Sequence, residues 1–180
     1  ANIDVQDEDG DSALAHAAEA GYTDVMRLLL ENNADVNLMN VNGLTALCRA
    51  VASNQLDCMD ILVEGGASID HQDVNGTSVV HVAVIQEHTE ALVKLVAMGA
   101  NLNLKDGNNY TPLHVCAKMK LKELCDVLLR HGADARICDE RGYLPLHVAA
   151  ALNAQDIITS LLDSDPDSID ILDTNRRSPL

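Results

Sequence analysis

His81, His114 and His147 stand 33 residues apart. Imidazoles recurring in one frame could form a metal ladder. The chain also has five cysteines, Cys48, Cys58, Cys116, Cys125 and Cys138. Carboxylates cluster at regular points such as Asp7-Glu8-Asp9, where pairs could do acid–base work. The elements that would carry these groups argue against each chemistry. Histidines on successive layers of packed helices sit about 10 Å apart, too far to share one ion. The cysteines are odd in number and contain no Cys-x-x-Cys. Four fall at different points of the frame, and Cys138 lies in a connecting loop, so no disulfide framework is expected. The carboxylates occupy turns, where Asp and Asn bond their own backbone. No Ser-His-Asp arrangement, phosphate loop or zinc spacing occurs. No catalytic residue, metal site or cofactor site is expected.

The same period organises the whole chain. Asp7-Glu8-Asp9-Gly10 recurs as Asn40-Val41-Asn42-Gly43, Asp73-Val74-Asn75-Gly76, Asp106-Gly107-Asn108-Asn109 and Asp139-Glu140-Arg141-Gly142. A helix-opening phrase follows each, as in Ser12-Ala13-Leu14, Thr45-Ala46-Leu47 and Thr111-Pro112-Leu113. Self-similarity at this period predicts an all-α solenoid of stacked helix pairs. The frame divides the chain into 1–6, the tail of a preceding repeat, then 7–39, 40–72, 73–105, 106–138 and 139–172, with 173–180 opening a sixth, truncated unit. Residues 139–172 are irregular, with 34 residues and Asp163-Ser164-Asp165-Pro166-Asp167 in place of a Gly-Ala cap. A longer, distorted loop is expected there.

Residues 106–138 show the physics of one unit. Asp106 to Tyr110 has tight-turn chemistry, and its Asn109 replaces the Gly of the other turns because Asn tolerates a positive backbone angle. Thr111 caps a helix with Pro112 in its first turn, running to about Lys118. A second helix runs from about Lys122 to Arg130 and presents Leu124, Val127 and Leu128 on one side. Gly132 supplies the left-handed end.

Composition narrows the function classes. The net charge is −16, of which residues 1–90 carry −14. That field repels phosphate backbones, so nucleic acid is not an expected ligand. No apolar run approaches the roughly 18 residues that span a bilayer. Reduced, mostly buried thiols point to the cytoplasm or nucleus.

Thr111-Pro112-Leu113-His114, Ala34-Asp35-Val36-Asn37 and Gly132-Ala133-Asp134 resemble the signature phrases of ankyrin repeats. Ala15 and Cys48 at the His position and Leu144 at the Thr position depart from that pattern. Asp7 to Leu14 also resembles repeats of the mind bomb ubiquitin ligases. The resemblance implies antiparallel helix pairs with β-hairpins projecting in an L shape, and a histidine that hydrogen-bonds the neighbouring turn. It implies a concave face lined by hairpin tips and first-helix ends, binding a protein or peptide. On that face Leu44, Ile85, Tyr110, Met119 and Tyr143 form an expected apolar strip. Glu8, Asp9, Asp11 and Glu19 form an acidic end suited to a partner with a basic segment. It further implies hydroxylation at Asn37, eight residues after Leu29, and at Asn103 after Leu95, where Leu102 departs from the usual Val. The expected function is a monomeric protein-interaction module, a scaffold or adaptor. The alternative is a targeting or regulatory segment of a larger enzyme such as a ubiquitin ligase or kinase.

Overall fold

The computed structural model describes residues 2–179. The chain divides into two compact units, Ala1–Ala100 and Asn101–Leu180. The first holds α1 (Ala13–Ala20), α2 (Thr23–Glu31), α3 (Ala46–Ala52), α4 (Leu56–Glu64), α5 (Val79–Ile85) and α6 (Thr89–Ala97). The second holds α7 (Pro112–Met119), α8 (Lys122–Arg130), α9 (Pro145–Ala151), α10 (Gln155–Ser164) and a 3-10 turn at Pro166–Asp170. In the first unit α1, α3 and α5 pack in one row, α2, α4 and α6 in another. In the second, α7 packs on α9 and α8 on α10. These helices have at most ten residues, too short to persist in isolation. Their stability comes from the buried faces between layers: Leu47, Val51, Leu62 and Leu92 in the first unit, Leu113, Leu128, Leu146 and Ile157 in the second.

The turns behave as their residue types predict. Asp7 Oδ1 accepts the amides of Asp9 at 3.0 Å and Asp11 at 2.9 Å. Asn40, Asp106, Asp139 and Asp173 each hold the amides two and four residues on in the same way. The side chains that could have served acid–base chemistry therefore close turns. The hairpins implied by the resemblance reduce, among the described residues, to these turns with isolated bridges Gln6–Ser12 and Gln72–Ser78.

Three pairs of neighbouring turns are joined by single backbone bonds. Val41 N–H donates to Asp9 C=O at 3.2 Å, Val74 to Asn42 at 3.1 Å, and Thr174 to Arg141 at 3.2 Å. These bonds require close approach. A Cβ on Gly10 would lie 2.8 Å from Val41 N, and one on Gly142 would lie 2.9 Å from Thr174 N. Glycine at these points supplies both the space and the positive φ.

The expected distorted loop after α10 is instead a compact turn. Pro166 opens the 3-10 segment, Ser168 is buried, and its hydroxyl donates to Asp165 C=O at 2.7 Å. Arg136 donates two bonds to Asp165, at 2.7 and 2.6 Å. A bidentate Arg–carboxylate contact takes the place of the missing glycine cap.

A second periodic feature escaped the motif reading. Gly21, Asn54, Glu87, Lys120 and Asn153 follow the first helix of each pair, and all have positive φ. Glu87 and Lys120, at φ 59° and 62°, lack the compensation available to Gly or Asn. Lys120→Gly is expected to stabilise the protein by about 0.5–1 kcal/mol, the left-handed penalty outweighing the added chain freedom. Urea denaturation would read it, and an unchanged or lowered midpoint would refute it.

Candidate interaction face

The recurring histidines are built into the scaffold. In α7, His114 Nδ1 accepts the Thr111 amide at 3.1 Å and the Thr111 hydroxyl at 2.8 Å. Its Nε2 lies 2.9 Å from the Tyr143 carbonyl and donates to it. This fixes the neutral, Nε2-protonated tautomer. His147 repeats the arrangement with the Leu144 amide at 3.1 Å and the Arg177 carbonyl at 3.2 Å. His81 shares a capping box with Ser78, whose hydroxyl lies 2.8 Å from Nδ1. Among the described residues, no three His, Cys, Asp or Glu side chains converge to hold a metal ion.

The His114 and His147 rings each support a tyrosine at a turn tip. Tyr110 stacks on His114 with centroids 5.5 Å apart and planes 10° apart. Tyr143 stacks on His147 at 5.7 Å and 16°. A cation covers each phenol ring: the Lys118 ammonium 5.5 Å from the Tyr110 centroid, and the Arg177 guanidinium 5.7 Å from that of Tyr143. Arg177 also bonds the Tyr143 hydroxyl and pairs with Asp173 at 2.8 Å. Both tyrosines are consequently half-buried rather than exposed, a correction to the expected strip. Stacked and capped, they are held in one orientation before any partner arrives.

The other strip residues divide. Ile85 is 44% exposed and Met119 39% exposed, while Leu44 is half-buried. Leu44 and Ile85 belong to the first unit and the remaining three to the second. The strip omitted the most exposed apolar tips, Val41 at 67% and Val74 at 68%. Their position in the turn ahead of the Gly was the available signal, since an apolar residue at a tip leaves most of its surface to solvent.

The acidic end is smaller than expected. Glu8, Asp9 and Glu19 are exposed, but Asp11 is buried. Asp11 accepts from Asn40 Nδ2 at 3.0 Å and pairs with Arg49, so it joins adjacent layers rather than facing a partner. Arg49 also lies 3.8 Å from Glu19. The nearby Asp7 carboxyl is held below its ordinary value by the His16 ring at 2.7 Å.

Four thiols are buried and only Cys138 is exposed. Burial raises the Cys116 thiol well above its ordinary value and pushes Cys125 up to about 12. Both are protonated and inert at neutral pH.

Asn37 and Asn103 bridge turns. Asn37 Oδ1 accepts the Ser68 amide at 2.8 Å and its Nδ2 donates to Gly66 C=O at 3.1 Å. Asn103 Oδ1 accepts the Asp134 amide at 2.8 Å.

Repeated helix pairs, a core shared between layers and tyrosines at the turns define an all-α repeat solenoid. The family model for ankyrin repeats, in three copies, matches residues 1–73 and 80–175. The chain belongs to the ankyrin repeat family, whose members are generally protein–protein interaction modules. A search of curated proteins returned no match. Among the described residues, no helix is long and apolar enough to cross a membrane.

Proposed function

We propose that this chain is a scaffold or adaptor segment holding a protein or peptide against its turn tips and first-helix ends. The observation that carries the reading is the pair of tyrosines, each stacked on a buried histidine and covered by a cation. Rigid aromatic anchors at low entropic cost are what interface hot spots use. Met119 adds exposed apolar area in the unit that holds both tyrosines. Glu8, Asp9 and Glu19 steer a partner with a basic segment. Five free thiols, four of them buried, support a reducing compartment, the cytoplasm or nucleus. The test is capture of partners by the immobilised chain, identified by mass spectrometry and repeated with Tyr110→Ala and Tyr143→Ala. A genuine partner is captured by the native chain and lost from the variants. Capture indifferent to both substitutions overturns the reading.

Asn37 is the better placed of the two hydroxylation candidates, because its residue is exposed whereas Asn103 is half-buried. The proposed modification is one added oxygen on Asn37 in protein isolated from cells, located by tandem mass spectrometry. It would tighten the loop rather than switch binding. Complete absence of the oxidised peptide counts against it.

A further inference from the structure

The junction after the fourth turn differs from those after the first, second and fifth. At the junctions where Gly10, Gly43 and Gly142 stand, a backbone bond joins each tip to the next. Asn109 occupies the glycine position between the fourth and fifth turns, with φ 61°. Its Cβ stands where the neighbouring turns leave no room for one. No bond joins Glu140 N–H to Asn108 C=O, the pair that the pattern would couple. The two turns instead border a cleft of about 190 Å³ lined by Asn108, Tyr110, Lys118, Asp139, Glu140 and Arg141.

The donors left there point one way. Among the described residues Glu140 N–H donates no backbone hydrogen bond. Among the described residues neither Lys118 nor Arg141 pairs with a carboxylate. Lys118 is held in place over the Tyr110 ring. Asp139 is buried, and its Oδ1 is occupied by the Arg141 and Tyr143 amides at 2.9 and 2.8 Å. Glu140 is the one exposed carboxylate of the cleft and weakens its pull on an anion.

We propose that this cleft receives an acidic side chain of the partner polypeptide, a glutamate or aspartate bound by the Glu140 amide, the Arg141 guanidinium and the Lys118 ammonium. The assignment deepens the interaction reading above and rests on Tyr110 belonging to the partner face. A carboxylate matches this donor set, since a planar guanidinium and a backbone N–H both direct bonds to carboxylate oxygens. A missing backbone bond thus becomes a specificity pocket beside an aromatic anchor.

The experiment titrates the isotope-labelled 180-residue chain with blocked tetraglutamate, using blocked tetralysine as the matched control. Two-dimensional NMR should show tetraglutamate shifting the amides of Asn108, Tyr110, Glu140 and Arg141, and the Arg141 side chain. Lys118→Gln and Arg141→Gln should each weaken binding by about fivefold, the range of exposed charge contacts. Asn109→Gly should close the junction and abolish binding while the fold is retained. Glu140→Gln should strengthen it. No response at residues 140 and 141, an equal response to tetralysine, or unchanged binding by Asn109→Gly overturns the proposal. The two readings fail separately. If tetraglutamate does not bind but Tyr110→Ala still abolishes partner capture, only the acidic pocket falls. If tetraglutamate binds as described while capture ignores Tyr110→Ala and Tyr143→Ala, the pocket stands and the partner face lies elsewhere.

Discussion

His114→Ala is expected to destabilise the protein by about 3–4 kcal/mol, more than any surface substitution in the chain. The loss has three sources. The Thr111 amide and hydroxyl lose their shared acceptor, and the Tyr143 carbonyl loses its donor. Each buried polar group left unpaired costs about 1–3 kcal/mol, partly recovered where water enters. Tyr110 also loses the ring beneath it. His147→Ala should cost about half as much, because Leu144 provides an amide but no hydroxyl to Nδ1 and the ring is 8% exposed. Denaturant melts followed by circular dichroism would measure both. Less than about 1 kcal/mol at His114 would show that the network is not a source of stability, and equal losses would show that the Thr111 hydroxyl adds nothing to it.

The same network sets a pH dependence. Burial holds the His114 imidazole below its ordinary value of 6.5, opposed by the Tyr143 carbonyl and by Asp139 and Asp106. The unfolded chain therefore binds a proton at a pH where the folded one does not. Stability is fully present above about 6.5 and declines as pH falls toward the folded-state value. Protonating Nδ1 would also remove the acceptor for the Thr111 amide. Melts between neutral and mildly acidic pH should show this loss in the native chain and a reduced one in His114→Gln.

Partner affinity is the second large effect. Tyr110→Ala is expected to weaken binding at least about tenfold, and the double change with Tyr143→Ala by about a hundredfold, since central aromatic anchors commonly contribute about 2 kcal/mol each. The stacking on His114 makes Tyr110 part of the fold as well, so Tyr110→Ala should also lower stability by about 1 kcal/mol. Binding is best compared well below the melting transition, by calorimetry or surface plasmon resonance. Neutralising Glu8, Asp9 and Glu19 should slow association and flatten the salt dependence, with little effect on dissociation. Asp11 is excluded from that set because replacing it would strand Arg49. Normal binding by both tyrosine variants would move the partner to the second helices, α2, α4, α6, α8 and α10.

Much of the architecture was legible in the chain because its signals are local and repeated. A turn that begins with Asp or Asn closes on its own amides whatever lies around it, and Thr111-Pro112 opens a helix wherever it occurs. The period then specifies that helix pairs meet copies of themselves, which is enough to define the family and the core residues Leu14, Leu47 and Val80 of the first unit and Leu113 and Leu146 of the second. Exposure was decided by contacts between layers. Asp11 has the same local sequence logic as Asp9, yet Asn40 and Arg49, 29 and 38 residues away, draw it inside. Tyr110 reads as a free tip until a histidine four residues on turns its ring beneath it. The Asn109 substitution was visible as a tolerated turn residue. That the junction beside it carries no backbone bond to the next turn depends on how closely two tips approach, a distance set by stacked helices and carried by no single stretch of sequence.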